Sequence, residues 1–321
     1  MELGLFAAHE QYAPTTLLNH AELAEDAGFD SVWTSDHFHP WWHTGAHCGA
    51  AWPWLGSALE RTDAVRMGTG VTPPVGRYHP GLLAQFAATL GAMHPGRVHL
   101  TLATGEAMNE RPLGFEWPDY PERRARMVDA CRIVRDLFDG GFCDYDGHYW
   151  DLDGARLYTL PEEDVPVYVA GNGIHSAEVA GRYADGFLTL ADVETYENEL
   201  RPALEAGAEE AGRDPSDVKR IKQVGVSYAD DYADAVDAVE FWTGSMAVGF
   251  DEDVADPREV ESRGREIPRE DWADWGTVTE DIADVESVID RHRDAGFDEV
   301  EVLSTSPRQE RFVAAMADEV L

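Results

Sequence analysis

The feature that most constrains this chain is a regular alternation of short apolar segments with longer amphipathic segments. The short segments are typical of β-strands and the long ones of α-helices, and the pair recurs eight times. Eight such repeats favour an α/β fold with a parallel sheet over a sandwich or a helix bundle. With 321 residues and no obvious linker, the chain is long enough to close one barrel, since such barrels commonly need ~250 residues. We therefore predict a (β/α)8 TIM barrel that forms a single domain over residues 1–321.

Two stretches do not fit the regular repeat. Residues 142–153 alternate like a hairpin, with Asp146 and Gly147 at its turn. Residues 242–277 are acidic and are too long for an ordinary connection. We predict that both are insertions, and that the second is an irregular lid or substrate-facing segment.

Charge excludes one class of partner. The chain has 62 acidic and 25 basic residues and a net charge of -37, so it has no basic face to displace counterions from nucleic acid. Such self-repulsion destabilises a compact state in dilute buffer, whereas molar salt shortens the screening length to about 3 Å. This balance predicts a halophilic protein from a salt-adapted cytoplasm.

Membrane and secretory signals are also missing from the pattern. There is no apolar run of about 18 residues, and the first residues resemble a strand rather than a signal peptide. Three widely spaced cysteines argue against a disulfide framework. We expect a cytoplasmic protein that binds neither membranes nor nucleic acid.

Polar side chains follow several predicted strands at the points where the strands end. In a parallel barrel these ends meet at one mouth, where active sites lie. A glycine-rich turn that leads into a helix also favours binding of an anion. The groups concerned are Asp36 with His37, Thr104 and Gly105 with Glu106 and Asn109, and the turn of residues 170–173.

Three long motifs resemble one family. Residues 35–41, 68–80 and 104–110 are similar to luciferase-like barrel oxidoreductases that use coenzyme F420. The likeness covers nearly the whole chain, and it is closest to the glucose-6-phosphate dehydrogenase and secondary alcohol dehydrogenase group. It implies hydride transfer from an alcohol or sugar carbon to C5 of the deazaflavin, and a homodimer.

The resemblance also implies roles for individual residues. His37 would take the hydroxyl proton, Glu106 would be the acid near N1 of the reduced ring, and Trp41 would flank the reacting centre. Glu10 and Asp36 would orient His37, and Gly70 and Val71 fall where the family has a non-prolyl cis peptide bond. The positions assigned to the cofactor are Asp36, Gly70, Val71, Thr104, Gly105, Asn109, Ala170, Gly171, Asn172 and Gly173.

One departure from the family concerns the substrate. Sugar-phosphate members hold the phosphate with two lysines and an arginine, and the best-matching positions here are Val193, Ser262 and Asp274. None is cationic, although Arg263 lies next to one of them, and Asp274 would repel a phosphate. We therefore predict an unphosphorylated substrate, either a small alcohol or a sugar.

Four alternatives stay open at this point. The chain could be a sugar-phosphate dehydrogenase, an FMN-dependent luciferase-like monooxygenase, or a non-catalytic deazaflavin-binding protein. The last alternative is a zinc site, because imidazole and thiolate at short spacing suit zinc. Its ligands would come from His37, His39, His43, His47 and Cys48. Since Pro40 and the adjacent tryptophans suit a pocket for a flat ring better, we predict no metal.

Overall fold

A computed structural model describes residues 1–321. Eleven strands alternate with thirteen helices along the chain. The strands are β1 (Glu2–Ala7), β2 (Ser31–Thr34), β3 (Arg66–Thr69), β4 (Val98–Leu102), β5 (Cys143–Asp146), β6 (Asp151–Ala155), β7 (Val167–Ala170), β8 (Gly186–Thr189), β9 (Lys219–Tyr228), β10 (Thr277–Thr279) and β11 (Glu299–Ser304). The helices are α1 (Pro14–Ala27), α2 (Ala51–Arg61), α3 (Pro80–Met93), α4 (Ala107–Glu110), α5 (Tyr120–Phe138), α6 (Ile174–Tyr183), α7 (Val193–Thr195), α8 (Arg201–Glu210), α9 (Tyr232–Asp237), α10 (Thr243–Ala247), α11 (Pro257–Gly264), α12 (Ile282–Asp294) and α13 (Gln309–Glu319).

The first of two compact units comprises Met1–Val65, Glu106–Pro112 and Ile221–Leu321. Its strands are parallel and lie in the order β10-β9-β11-β1-β2. Leu5 of β1 is in register with Val32 of β2 and Val302 of β11, and all three are buried. Parallel strands that are covered on both faces need such apolar residues.

The second unit comprises Arg66–Gly105 and Leu113–Arg220. Its strands are also parallel and lie in the order β3-β4-β7-β8. The predicted hairpin is present, since β5 and β6 pair antiparallel, with Asp146 opposite Asp151. Its second strand extends two residues beyond the predicted end of the insertion, to Ala155. The prediction of a single domain stays a prediction.

Helix ends follow the sequence signals at α1. Pro14 occupies its first turn, where the missing N–H costs no hydrogen bond. Gly28 ends the helix with a φ of 100°, a left-handed conformation that glycine adopts at little cost.

Two helical segments depart from a regular helix. α2 begins at Ala51 and includes Trp52 and Pro53. A proline is tolerated in the first turn of a helix, so Pro53 does not interrupt α2. Between α7 and α8 the chain forms a π-helical turn at Tyr196–Leu200.

The prediction of an irregular segment over residues 242–277 was wrong. The segment contains α10, α11, a 3₁₀ helix at Arg269–Trp275 and β10. These elements are short, so their periodicity is weak, and packing rather than propensity stabilises them. No helix in the structure combines the length and the apolarity that crossing a bilayer requires.

Candidate active site

The centre of the first unit's polar cluster is the imidazole of His37. His37 follows β2 by three residues, Glu10 follows β1, and Glu106 lies immediately before α4. The Nδ1 atom of His37 lies 3.1 Å from Oε1 of Glu10, and its Nε2 atom lies 4.0 Å from Oε2 of Glu106. Residues separated by about 70 positions are therefore brought together, as the sequence predicted for strand ends.

Glu10 is held at both its backbone and its carboxylate. The carboxylate is 1% exposed, and its Oε2 accepts a hydrogen bond of 2.7 Å from the Ser35 hydroxyl. The Ser35 hydroxyl in turn accepts from the backbone N–H of His9 at 3.0 Å. The backbone carbonyl of Glu10 accepts from His47 N–H at 2.8 Å. The carbonyl and Oε2 of Glu10 thus each have a hydrogen-bond donor, and the remaining oxygen, Oε1, faces the imidazole of His37.

Asn109 links two parts of the same cluster. Its Oδ1 accepts from the backbone N–H of Phe38 at 2.8 Å, and its Nδ2 donates to Glu106 Oε2 at 2.8 Å. The side chain is fully buried. Both ends of the amide are thus used within the protein, so Asn109 sets the position of Glu106 relative to the residue after His37.

Asp36 and His9 are buried beside this cluster. Burial lowers the pKa of His9, although the charges of Glu10 and Asp36 act in the opposite direction. His9 packs edge-on against Trp54, with ring centroids 5.0 Å apart. The predicted contact of Asp36 with the cofactor stays a prediction.

Aromatic side chains form an apolar wall next to His37. The ring of Trp41 is centred 6.0 Å from the imidazole and meets Phe250 edge-on at 5.6 Å. Trp41 is 4% exposed, whereas Phe250 is 44% exposed. The sequence identified Trp41 but gave no signal for Phe250, which lies more than 200 residues further along the chain.

A second aromatic pair is held by a residue next to Glu10. Trp242 and Trp275 stack with centroids 6.1 Å apart. The indole N–H of Trp242 donates to Gln11 Oε1 at 3.2 Å, and Gln11 Nε2 donates to Thr305 Oγ1 at 3.4 Å. Sequence reasoning missed the contribution of Gln11 because its partners lie 231 and 294 positions away.

The remaining predicted cofactor residues belong to the second unit, apart from Asp36 and Asn109. The peptide bond between Gly70 and Val71 is cis, as the resemblance implied. Gly105, which follows Thr104, has a φ of 71°, and a Cβ there would lie 2.7 Å from Cβ of Pro73. Only glycine fits this position between β4 and Glu106.

The turn of Ala170, Gly171, Asn172 and Gly173 connects β7 to α6. Oδ1 of Asn172 accepts from the backbone N–H of Leu190 at 2.8 Å, which ties the turn to the end of β8. Gly173 precedes α6 without a side-chain cap, and a Cβ there would meet no atom within 4 Å. α6 thus begins without a side-chain cap and with room beside Gly173, which suits an anionic group.

The residues of the zinc alternative have other contacts. The Cys48 thiol donates to the backbone carbonyl of His37 at 3.2 Å, and His39 Nδ1 lies 2.9 Å from the carbonyl oxygen of Ala255. His43 and His47 are exposed. No three His, Cys, Asp or Glu side chains are grouped so that they could hold a metal ion.

Comparison with known proteins defines the class to which this site belongs. The family model described as Luciferase-like monooxygenase matches residues 1–296, so the chain belongs to the luciferase-like family. The resemblance drawn from the motifs is thereby confirmed.

Particular relatives are closer than the family as a whole. An F420-dependent glucose-6-phosphate dehydrogenase of Microbacterium testaceum is 40% identical over 325 residues, which cover 100% of this chain and 96% of that protein. A solved structure of an F420-dependent secondary alcohol dehydrogenase with an F420-acetone adduct matches with a TM-score of 0.94. The two are 37% identical, and the match covers 99% of this chain and 98% of the other.

A more distant structure shares the fold. The coenzyme F420-dependent tetrahydromethanopterin reductase from Methanopyrus kandleri matches with a TM-score of 0.82 at 22% identity, covering 99% of this chain and 98% of the other. The fold is the (β/α)8 barrel of the luciferase-like type, as the eight repeats predicted.

Proposed function

We propose that this chain is a coenzyme F420-dependent oxidoreductase that oxidises the CH–OH group of an uncharged alcohol or sugar. The observation that carries the proposal is the His37 imidazole, which lies 3.1 Å from the buried Glu10 and 4.0 Å from Glu106. Close relatives named F420-dependent dehydrogenases support the cofactor and the reaction class.

The two nitrogens of His37 have different environments. A carboxylate next to Nδ1 favours the tautomer with its proton on that atom, which leaves Nε2 as a proton acceptor. Nε2 is therefore the atom that takes the hydroxyl proton of the substrate. Glu10 then stabilises the imidazolium that forms, and Glu106, held by Asn109, supplies a proton on the cofactor side.

When bound, coenzyme F420 would supply the acceptor for a hydride from the substrate carbon. The turn at residues 170–173 would hold its phosphate, since α6 begins there without a side-chain cap. Asp36, Thr104, Gly105, Asn109 and the Gly70-Val71 peptide are assigned to the remainder of the cofactor. Trp41 would exclude water from the reacting carbon and supply an apolar wall.

The charges of residues 242–277 support an uncharged substrate. This segment contains four arginines and no lysine. Each arginine is paired with carboxylates, so none is left to form a clamp for a phosphate dianion. The pairs are Arg258 with Asp256, Arg263 with Glu252 and Glu259, Arg265 with Glu240 and Glu261, and Arg269 with Asp237.

Glucose 6-phosphate is the alternative substrate, because relatives at 40% identity are named for it. Steady-state reduction of coenzyme F420, followed by its absorbance, would be compared for 2-propanol, glucose and glucose 6-phosphate in molar salt. We expect kcat/KM to be higher for an uncharged substrate. A clear preference for the phosphate would refute the substrate assignment, and the absence of coenzyme reduction with a broad alcohol and sugar panel would refute the function.

The proposal includes a salt-rich cytoplasm and a homodimeric state. The acidic excess supports a salt-rich cytoplasm, because only high salt screens a net charge of -37 effectively. The assignment of a homodimer rests on the family resemblance, and light scattering of the purified chain tests it.

A further inference from the structure

The corner that carries Trp41 is fastened by a residue of the segment 242–277. Residues 40–44 adopt neither helix nor strand, so their backbone N–H groups need partners from elsewhere. The Glu261 carboxylate of α11 supplies partners to two of them. Its Oε2 accepts from the N–H groups of His43 at 3.0 Å and Thr44 at 2.6 Å, and its Oε1 accepts from the Thr44 hydroxyl at 2.8 Å.

The charge of Glu261 is compensated although the residue is only 8% exposed. Burial alone would raise the pKa of Glu261, but hydrogen bonds from Arg265, Thr44 and His43 outweigh it and lower the pKa. Two nitrogens of Arg265 donate to Oε1 at 2.9 and 2.8 Å. The same guanidinium lies 5.0 Å from the ring centroid of Trp42. The Glu261 carboxylate therefore connects α11 directly to the corner, and it connects α11 to the Trp42 ring through Arg265.

Close helix packing brings this carboxylate to the corner. A side chain on Gly244 of α10 would collide with the carbonyl oxygen of Trp41. A Cβ on Gly264 of α11 would lie 2.7 Å from the backbone nitrogen of Gly244. Thus α10 lies against the corner and α11 lies against α10, both at backbone distance. α11 could not move away from the corner without breaking the hydrogen bonds of Glu261.

We propose that Glu261 is a positioning residue that fixes Trp41 beside His37 and thereby determines how the uncharged substrate is bound. This inference rests on the proposed function for the role of Trp41. Through Glu261, the segment 242–277 supports the Trp41 side of the substrate pocket. The same carboxylate pairs with Arg265, so this arginine does not bind the substrate.

The test compares Glu261→Ala and Glu261→Gln with the control Glu259→Gln, which removes an exposed carboxylate of the same helix. With 2-propanol as substrate, we expect Glu261→Ala to raise KM about tenfold or more with kcat changed less than threefold. Glu261→Gln should show a smaller rise, because an amide oxygen can still accept from the two N–H groups. The control should match the wild type.

A second measurement does not depend on turnover. Hydrogen exchange of the peptide spanning residues 38–46 should be faster in Glu261→Ala than in the wild type, and unchanged in the control. If Glu261→Ala does not fold, Glu261→Gln is expected to show the same changes to a smaller extent.

An unchanged KM or unchanged exchange in folded Glu261 variants would overturn the positioning role, as would an equal effect of Glu259→Gln. A wild-type protein that reduces no coenzyme with any alcohol would instead overturn the proposed function, while hydrogen exchange would still decide whether Glu261 holds the corner.

Discussion

The Nδ1 atom of His37 lies 3.1 Å from Oε1 of Glu10, and the Glu10 carboxylate is 1% exposed. A buried carboxylate is costly unless charge or hydrogen bonds compensate it. Ser35 donates to the other oxygen of Glu10 at 2.7 Å, which leaves the imidazole as the partner of the first. The pair therefore places Nδ1 of His37 next to a buried carboxylate and leaves Nε2 as the nitrogen that we propose exchanges a proton.

His37→Ala should slow turnover by roughly 100-fold or more, because removing a general base has this usual cost. Coenzyme binding, measured by quenching of its fluorescence, should change little. His43→Ala is the matched control, since the His43 side chain is exposed a few residues away. Normal turnover in His37→Ala would remove His37 from the proton-transfer step.

Glu10→Gln should lower kcat by about 10- to 100-fold. The amide still fits, but it cannot stabilise the positive charge that His37 gains when it accepts a proton. Glu60→Gln, an exposed change on α2, serves as the control for loss of one charge. If Glu10→Gln keeps the kcat of the wild type, the contact between Glu10 and His37 has no part in turnover.

The sequence was sufficient for the parts of the site that depend on local signals. Strand ends followed by Asp36, His37 and Glu106 could be read from apolar runs and the polar residues after them. The contacts of Glu261 could not be predicted, since its partners His43 and Thr44 lie more than 200 positions away and a run of charged residues is usually solvated.

The missed elements have a common physical cause. β10 has three residues, and α10 has five, so neither is long enough to show a period. Their stability comes from neighbours rather than from intrinsic propensity. These tertiary contacts cannot be predicted from the residue pattern of a single sequence.

Glu301→Gln should stabilise the protein at pH 7. Glu301 of β11 is fully buried, accepts one hydrogen bond of 2.8 Å from Gln223 and has no partner for Oε2. Burial raises the pKa of Glu301 well above its usual range, and the charge of Glu299 acts in the same direction. The folded state thus retains a proton that the unfolded chain releases above its own pKa, so this stability is present at low pH and is lost as pH rises.

A glutamine is neutral at every pH and avoids that loss. We expect the free energy of unfolding at pH 7 to rise by on the order of 1 kcal/mol, with little difference near pH 4. Urea unfolding at both pH values measures the change. A destabilised variant at pH 7 would mean that Glu301 is charged and paired in the folded state.

His292 should make the protein less stable as pH falls from about 6.5 to about 4. Burial lowers the pKa of His292 to about 4, although a hydrogen bond with the Val288 carbonyl opposes the shift; the charges of Lys222 and Arg291 add to it. The unfolded chain then binds a proton near pH 6.5 that the folded protein binds only near pH 4. The resulting loss is on the order of 3 kcal/mol.

His292→Gln should flatten the dependence of the unfolding free energy on pH within this window, while the exposed control His43→Gln should not. Burial also lowers the pKa of His9, His20 and His99, so part of the slope will persist. A slope identical to that of the wild type in His292→Gln would show that this imidazole does not contribute.

Salt should stabilise the folded state, because the net charge of -37 repels itself most strongly when screening is weak. The screening length falls from about 10 Å at 0.1 M to about 3 Å at 1 M salt, so most of the gain in melting temperature should occur over this range.

A variant with fewer exposed charges distinguishes charge screening from the general strengthening of apolar burial by salt. Glu194, Glu197 and Glu199 are exposed on one short stretch and can be changed together to glutamine. This triple variant should melt at a higher temperature than the wild type at 0.1 M potassium chloride and at nearly the same temperature at 2 M. An equal difference at both concentrations, or none at 0.1 M, would contradict the screening argument.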